Sequence, residues 1–169
     1  MAYRYFAYGS ALHAAHLAEW THEHGYDGFT LEDGDAAVLD DWELTLSVPS
    51  RYWLGAVGTI APVAGARVHG LLFTLADSAG DIVRHKEGVG SGLYREVDVE
   101  VRLAAPPGED GDATLQLLPA RAFCAAEGRS LAEPPPASRR WLDIVVAGGR
   151  ARGLSDLWLA DLERKGRRS

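Results

Sequence analysis

This chain of 169 residues has only one cysteine, no long hydrophobic run and no excess of positive charge. Its single cysteine, Cys124, excludes an intramolecular disulfide and is typical of a protein from a reducing compartment. No segment approaches the roughly 20 apolar residues of a membrane span, and the opening run MAYRYFAYG lacks the layout of a signal peptide. The sequence therefore predicts a cytoplasmic protein that does not enter membranes.

Acidic residues outnumber basic ones by 24 to 17, which gives a net charge of -7 and a pI near 5.3. A surface of this sign repels nucleic acid and anionic membranes, so neither is predicted as a partner. The basic tail RKGRRS, which starts close to residue 165, is too short to reverse that balance. Hydrophobic residues make up 47% of the chain, enough for the core of one domain spanning residues 1–169.

Hydrophobic periodicity and turn residues predict a mixture of strands and helices. The predicted strands cover residues 3–8, 36–41, 42–48, 55–61, 67–76, 94–103 and 113–125. The predicted helices cover residues 11–25, 77–86, 138–153 and 155–166. This order predicts an α+β fold with a mixed, mostly antiparallel, curled sheet and a few helices around it.

The clearest strand is YREVDVEVRL, in which apolar and charged residues alternate. Val97, Val99, Val101 and Leu103 are predicted to face a core, because side chains alternate between the two faces of a strand. The run PPGEDGD (residues 106–112) predicts a polar turn, after which residues 113–125 return as the hairpin partner.

Six histidines invite a metal-site interpretation, but none has a spacing such as H-E-x-x-H, and no thiol cluster supports one. We therefore predict no metal and expect Cys124 to be a small core residue. The histidines of the first helix are predicted to be solvated: His13, His16, His22 and His24.

Two glycine-containing stretches leave a structural and a functional interpretation open. In YFAYGSAL (residues 5–12) an aromatic strand turns at Gly9-Ser10; this is either a core corner or a set of backbone amides that holds an anion. In KEGVGSGLY (residues 86–94) Glu87 stands at a helix end, where the helix dipole disfavours a carboxylate. That acid is either a solvated residue beside a flexible loop or one that the function needs.

Five segments occur along the chain in this order: YFAYGSAL, GAVGTIA, VHGLLFTL, KEGVGSGLY and RRWLDIVVAGGRARGL. Together they resemble the γ-glutamylcyclotransferase family over roughly residues 3–165. The resemblance implies a small β-barrel-like sheet ringed by helices. It also implies release of 5-oxoproline from a small γ-glutamyl compound, whose own α-amino nitrogen attacks its γ-carbonyl carbon. No cofactor or metal is implied.

The resemblance implies that Glu87 is the general acid/base, because the α-ammonium of the substrate must lose its proton before it can attack. The Gly9-Ser10 turn is implied to hold the substrate α-carboxylate. The positions implied to bind substrate are Tyr5, Phe6, Ala7, Tyr8, Gly9, Ser10, Ala11, Leu12, Gly92, Tyr94 and Trp141.

The chain departs from the family pattern at two positions. Ala11 stands where the family motif has asparagine, and Trp141 stands where members commonly have tyrosine. We expect Trp141 to line the cavity, with its replacement affecting binding more than folding; the apolar run WLDIVV leaves a core position open. Two other functions remain as alternatives: a non-catalytic binding member of the fold, and an enzyme that removes a γ-glutamyl protecting group in a biosynthetic pathway.

Overall fold

The computed structural model describes residues 2–104 and 116–168. Within these residues the chain forms five strands, four α-helices and one short 3-10 helix. Their bounds are β1 (Ala2–Ala7), the 3-10 helix (Ser10–Leu12), α1 (Ala14–Glu23), β2 (Asp35–Ser50), β3 (Gly55–Ala76), α2 (Ala79–Lys86), β4 (Tyr94–Leu103), β5 (Leu117–Ala125), α3 (Arg139–Ala151) and α4 (Asp156–Arg168).

The strands close into a barrel in the order β1-β3-β2-β4-β5. Neighbouring strands are antiparallel except at the junction of β1 and β5, where Tyr5 aligns with Arg121 in parallel. The predicted α+β fold with a mostly antiparallel, curled sheet is confirmed. The predicted β4–β5 hairpin is confirmed as well, from Tyr94 opposite Ala125 to Arg102 opposite Leu117, while its predicted turn at 106–112 lies outside the described residues.

β2 and β3 are each a single long strand, whereas the sequence predicted two short strands in place of each. The prediction failed because β2 continues through a bulge at Asp41, which has a φ of 61° and shifts the register between Asp40 and Trp42. The Asp41 carboxylate accepts a hydrogen bond of 2.8 Å from the Gly65 amide of β3. Both strands therefore continue past this level without ending.

The core fills the barrel and the space between the barrel and its helices. Phe6, Phe73 and Phe123 are its largest fully buried side chains. On β4, Val99 and Val101 are buried as predicted. Val97 is half-buried and also packs against the core, whereas the prediction is wrong for Leu103, the last residue of the strand, which is 46% exposed.

α3 begins at the predicted cap, because the Ser138 hydroxyl accepts a hydrogen bond of 3.1 Å from the Trp141 amide. α4 extends to Arg168, so the described part of the predicted basic tail forms the last turn of a helix, where positive charge favours the helix dipole. Among the described residues, no helix has both the length and the apolar character needed to cross a membrane.

Candidate functional site

A cavity of about 300 Å³ lies where β1, the 3-10 helix, α1, β3, the end of α2, β4 and α3 meet. α3 brings the 3-10 helix to this place by a very close approach. An ideal Cβ on Gly148 would lie 2.7 Å from the Leu12 carbonyl oxygen, so only glycine allows this contact. The Arg152 guanidinium adds a hydrogen bond of 3.0 Å to the same carbonyl.

Glu87 lies on the cavity wall at the C-cap position directly after α2. Its backbone N–H donates to the Val83 carbonyl at 2.9 Å, and Gly88, with a φ of 75°, turns the chain away. The half-buried carboxylate accepts a hydrogen bond from the hydroxyl of Tyr5, which is 82 residues away on β1. The fold thus places the predicted acid directly beside the predicted aromatic strand.

Three tyrosines of the wall are hydrogen-bonded and remain neutral near pH 7. Burial, together with the charge of Glu87, raises the pKa of Tyr5 and Tyr94, and burial raises the pKa of Tyr8. The Tyr94 hydroxyl donates to the Gly58 carbonyl at 2.7 Å, and the Tyr8 hydroxyl donates to the carbonyl of Phe123. These bonds fix the positions of the rings. Because the three tyrosines are neutral, they add no negative charge to that of Glu87.

The positive charge of Lys86 lies beside the Gly9-Ser10 turn, and the sequence did not predict it. Lys86 donates a hydrogen bond of 2.9 Å from its Nζ to the Ser10 hydroxyl. Burial lowers the pKa of Lys86, and the charge of Glu87 opposes that change. The sequence shows only that Lys86 directly precedes Glu87. A lysine at the C-terminal end of a helix is common, because its positive charge interacts favourably with the helix dipole, so this position alone does not indicate a role in a site.

Trp141 is part of the cavity wall and of the core at once. Its side chain is 4% exposed, and its ring lies against the turn at Gly9 and against Gly58 of β3. An ideal Cβ on Gly58 would lie 2.5 Å from the ring, so this glycine is required by the tryptophan. The two interpretations left open for Trp141 are therefore compatible.

Eight of the twelve predicted site residues line the cavity: Tyr5, Phe6, Tyr8, Gly9, Ser10, Glu87, Tyr94 and Trp141. The other four lie outside the cavity lining. Ala7, Ala11 and Leu12 are almost completely buried in the core, and Gly92 lies exposed in the loop before β4. Ala11 thus occupies a closed packing position, where a larger asparagine side chain would need space that its neighbours now fill.

The expectation that the α1 histidines are solvated is wrong for His16. His16, Trp20 and the C-cap residue His24 follow one another at four-residue spacing and line the cavity along one side of α1. Tyr52 and Trp53, from the turn between β2 and β3, line it from the other side. We call these five residues the aromatic mouth. The four-residue spacing was visible in the sequence, but nothing in it showed that this face of α1 is covered.

His16 should make folding stability depend on pH. Burial, helped by the nearby positive charges of Lys86 and Arg140, lowers its pKa from 6.5 to about 4. Between these values the unfolded chain binds a proton that the folded chain does not, so stability falls as the pH drops from 6.5 towards 4. At pH 5 we expect a loss of about 2 kcal/mol from this group.

Urea unfolding at pH 7.5 and pH 5 tests this expectation. His16→Gln keeps a polar side chain but cannot titrate, so its stability should fall by about 2 kcal/mol less than that of the parent. Any contribution from His69, whose pKa burial also lowers, is common to both proteins and cancels. Equal losses in parent and variant would contradict the role of His16.

Within residues 2–104 and 116–168, no group of three or more histidine, cysteine, aspartate or glutamate side chains could hold a metal ion. The ionisable and hydroxyl groups of the wall include the Glu87 carboxylate, the Lys86 ammonium, the Ser10 hydroxyl and the tyrosine hydroxyls.

Several solved structures share this fold. A γ-glutamyl cyclotransferase matches with a TM-score of 0.71 and 23% identity over 96% of this chain and 87% of its own. A yeast γ-glutamyl cyclotransferase specific to glutathione matches with a TM-score of 0.66 and 11% identity over 99% and 96%. YkqA from Bacillus subtilis matches with a TM-score of 0.73 and 20% identity over 98% of this chain and 54% of its own.

No family model matches the sequence, and neither does any curated protein. At the identities of the solved structures the likeness establishes the fold, and the chain has the fold of γ-glutamyl cyclotransferases. The barrel ringed by helices that the sequence resemblance implied is thereby confirmed.

Proposed function

We propose that this chain is a γ-glutamyl cyclotransferase that releases 5-oxoproline from a small γ-glutamyl amino acid or γ-glutamyl amine. The observation that carries the proposal is the position of Glu87: a half-buried carboxylate on a cavity wall, hydrogen-bonded to Tyr5 and next in sequence to the ammonium at Ser10. The shared fold with proteins of that name supports it.

In this proposal Glu87 takes a proton from the α-ammonium of the substrate, which frees the nitrogen lone pair. The nitrogen attacks the γ-carbonyl carbon, and a new C–N bond closes the five-membered ring. The amide bond to the departing amine then breaks as Glu87 returns the proton to the leaving nitrogen. The ring nitrogen, which its attack left with two hydrogens and a positive charge, gives its second proton to the released amine, which is an ammonium at neutral pH. Tyr5 positions the carboxylate through its hydrogen bond. Every atom of the substrate is found in 5-oxoproline or in the released amine.

The substrate α-carboxylate is proposed to bind at the Gly9-Ser10 turn, beside the ammonium of Lys86. Ser10 starts the 3-10 helix, so its amide precedes the first intrahelical donor, which is Leu12 bonding to the Gly9 carbonyl at 3.1 Å. Holding the carboxylate there, next to Glu87, folds the substrate so that its amine and γ-carbonyl meet. Such restriction of rotation supplies much of the rate in an intramolecular reaction.

Lys86→Met should raise KM for a γ-glutamyl substrate by about 10- to 100-fold, which is the loss expected for one charge-assisted hydrogen bond. Lys86→Arg should recover part of the loss because it restores the charge. Steady-state kinetics with a fixed γ-glutamyl substrate measure both.

The chain's other lysine offers a matched control. Lys165 also donates from its Nζ to an oxygen, the Leu44 carbonyl, at 2.9 Å, but it is not part of the cavity wall. Lys165→Met should leave KM unchanged. If Lys86→Met also leaves KM unchanged, the ammonium does not bind the carboxylate.

The general test of the proposed function is incubation of the protein with a panel of γ-glutamyl compounds, followed by chromatographic measurement of 5-oxoproline. Formation from at least one compound supports the proposal. Binding of these compounds without turnover would identify a non-catalytic member of the fold. Activity confined to a γ-glutamyl-blocked biosynthetic intermediate would identify a deblocking enzyme.

A further inference from the structure

The aromatic mouth consists of two groups of touching rings on the cavity wall: His16 with Tyr52 and Trp53, and Trp20 with His24. The rings of His16 and Trp53 lie 4.9 Å apart between centroids, which joins α1 to the turn between β2 and β3. Trp20 stacks on His24 at 4.3 Å, and Tyr52 meets Trp53 edge-on at 5.0 Å. Tyr52 is 55% exposed, so ring surface remains open to a ligand. Flat aromatic walls of this kind favour aromatic ligands through stacking and edge contacts.

The positive charges next to the aromatic mouth disfavour a ligand group that is itself positively charged. The Arg140 guanidinium lies 5.1 Å from the centroid of the Tyr52 ring and 4.9 Å from that of Trp53. The Lys86 ammonium lies 5.9 Å from the Trp20 ring centroid. These rings therefore already interact with cations, and a cationic ligand would meet like charge there.

No free acid is available to neutralise a second ammonium on the ligand. Among the described residues that line the cavity, Glu87 is the one acidic side chain. Its carboxylate already accepts a hydrogen bond from Tyr5, and in the proposed mechanism it takes the proton of the substrate α-ammonium. A leaving amine with a further positive charge would thus enter a site with two cations at its edge and no partner for its own charge.

We infer that the amine released by this protein carries a flat aromatic ring and no additional positive charge, as in an aromatic amino acid. The inference rests on the proposed function. The γ-glutamyl part lies between Glu87 and the Gly9-Ser10 turn, and the aromatic ring of the leaving amine packs in the aromatic mouth. Amides of polyamines are disfavoured.

Kinetics with three substrates test this inference: γ-glutamylphenylalanine, γ-glutamylalanine and γ-glutamylputrescine. We expect kcat/KM for the phenylalanine compound to exceed that for the alanine compound by about tenfold or more, from stacking and apolar burial. The putrescine compound should be the poorest substrate, because its distal ammonium lacks a partner.

Variants of the mouth locate the preference. Tyr52→Ala and Trp53→Leu should each lower the ratio of kcat/KM for the phenylalanine compound to that for the alanine compound by several-fold. Tyr52 is exposed enough that its truncation does not threaten folding. The matched control is Trp158→Leu, since Trp158 is also half-buried and stacks on a histidine, His69, at 5.3 Å outside the cavity. It should leave the ratio unchanged.

The outcomes separate this inference from the proposed function. Equal kcat/KM for all three substrates, or a preference untouched by Tyr52→Ala and Trp53→Leu, overturns the inference and leaves the cyclotransferase proposal standing. If none of the three yields 5-oxoproline, the proposed function fails for these compounds. Calorimetric binding, measured in parallel, then decides: a tenfold tighter Kd for the phenylalanine compound supports the inference, and equal Kd values overturn it.

Discussion

Glu87→Gln should fold like the parent, bind γ-glutamyl substrates and lose about 10²- to 10⁴-fold in kcat, which is the usual share of general acid–base catalysis. Glutamine has the size of glutamate and can still accept a hydrogen bond from Tyr5, but it cannot take the ammonium proton. Measured rates of 5-oxoproline formation give kcat, and calorimetry with unreacted substrate gives Kd.

Glu23→Gln is the matched control, because Glu23 lies exposed at the end of α1 and outside the cavity. It should keep the parent kcat. A Glu87→Gln protein that still forms 5-oxoproline at the parent rate would remove Glu87 from the mechanism and with it the main support for the proposed function.

Trp141→Ala should lower the free energy of unfolding by about 3–5 kcal/mol, the range for truncating a large buried aromatic side chain. The sequence led us to expect an effect mainly on substrate binding. With only 4% of the side chain exposed and the ring packed against Gly9 and Gly58, the structure now predicts a large effect on folding in addition. Urea unfolding at neutral pH measures the change.

A double-mutant cycle with Gly58 tests the same contact from the opposite side. Gly58→Ala should destabilise the parent, because the added methyl group lies 2.5 Å from the indole ring. In a Trp141→Phe background the smaller ring leaves more room, so Gly58→Ala should lower the free energy of unfolding by less there.

The single variant has its own contradicting outcome. If Trp141→Ala changes the free energy of unfolding by less than about 1 kcal/mol, the ring is a wall residue without a core role.

The elements that the sequence predicted correctly are those whose periodicity is local. The alternating residues of β4, the capping serine Ser138 of α3 and the glycine after α2 each reveal their structure within a few positions. β2 and β3 were divided wrongly because Asp40-Asp41 and Gly65 have the composition of turns. Both strands nevertheless continue through these positions, where the Asp41 side chain and the Gly65 amide bond to each other across the sheet, a contact between distant positions.

The sequence predicted those residues of the candidate site that belong to short motifs. It did not predict the residues that reach the cavity only through the packing of distant elements. Tyr5, Ser10 and Glu87 stand in motifs that resemble those of a known family, and they lie together in the structure. Lys86 is adjacent to one motif but has no distinctive spacing. His16 lines the cavity because other elements cover its face of α1, and no local pattern encodes that cover.

The closure of the barrel also bears on when the site is assembled during folding. Glu87 bonds to a residue 82 positions away, Tyr8 to one 115 positions away, and Arg152 holds the 3-10 helix across 140 positions. Contacts so distant in sequence form late and slowly, because long loops must close first. On the ribosome, the proposed catalytic carboxylate can be synthesised long before β5 and α3 emerge to complete its surroundings. The proposed activity should therefore appear only after nearly all of the chain has been made.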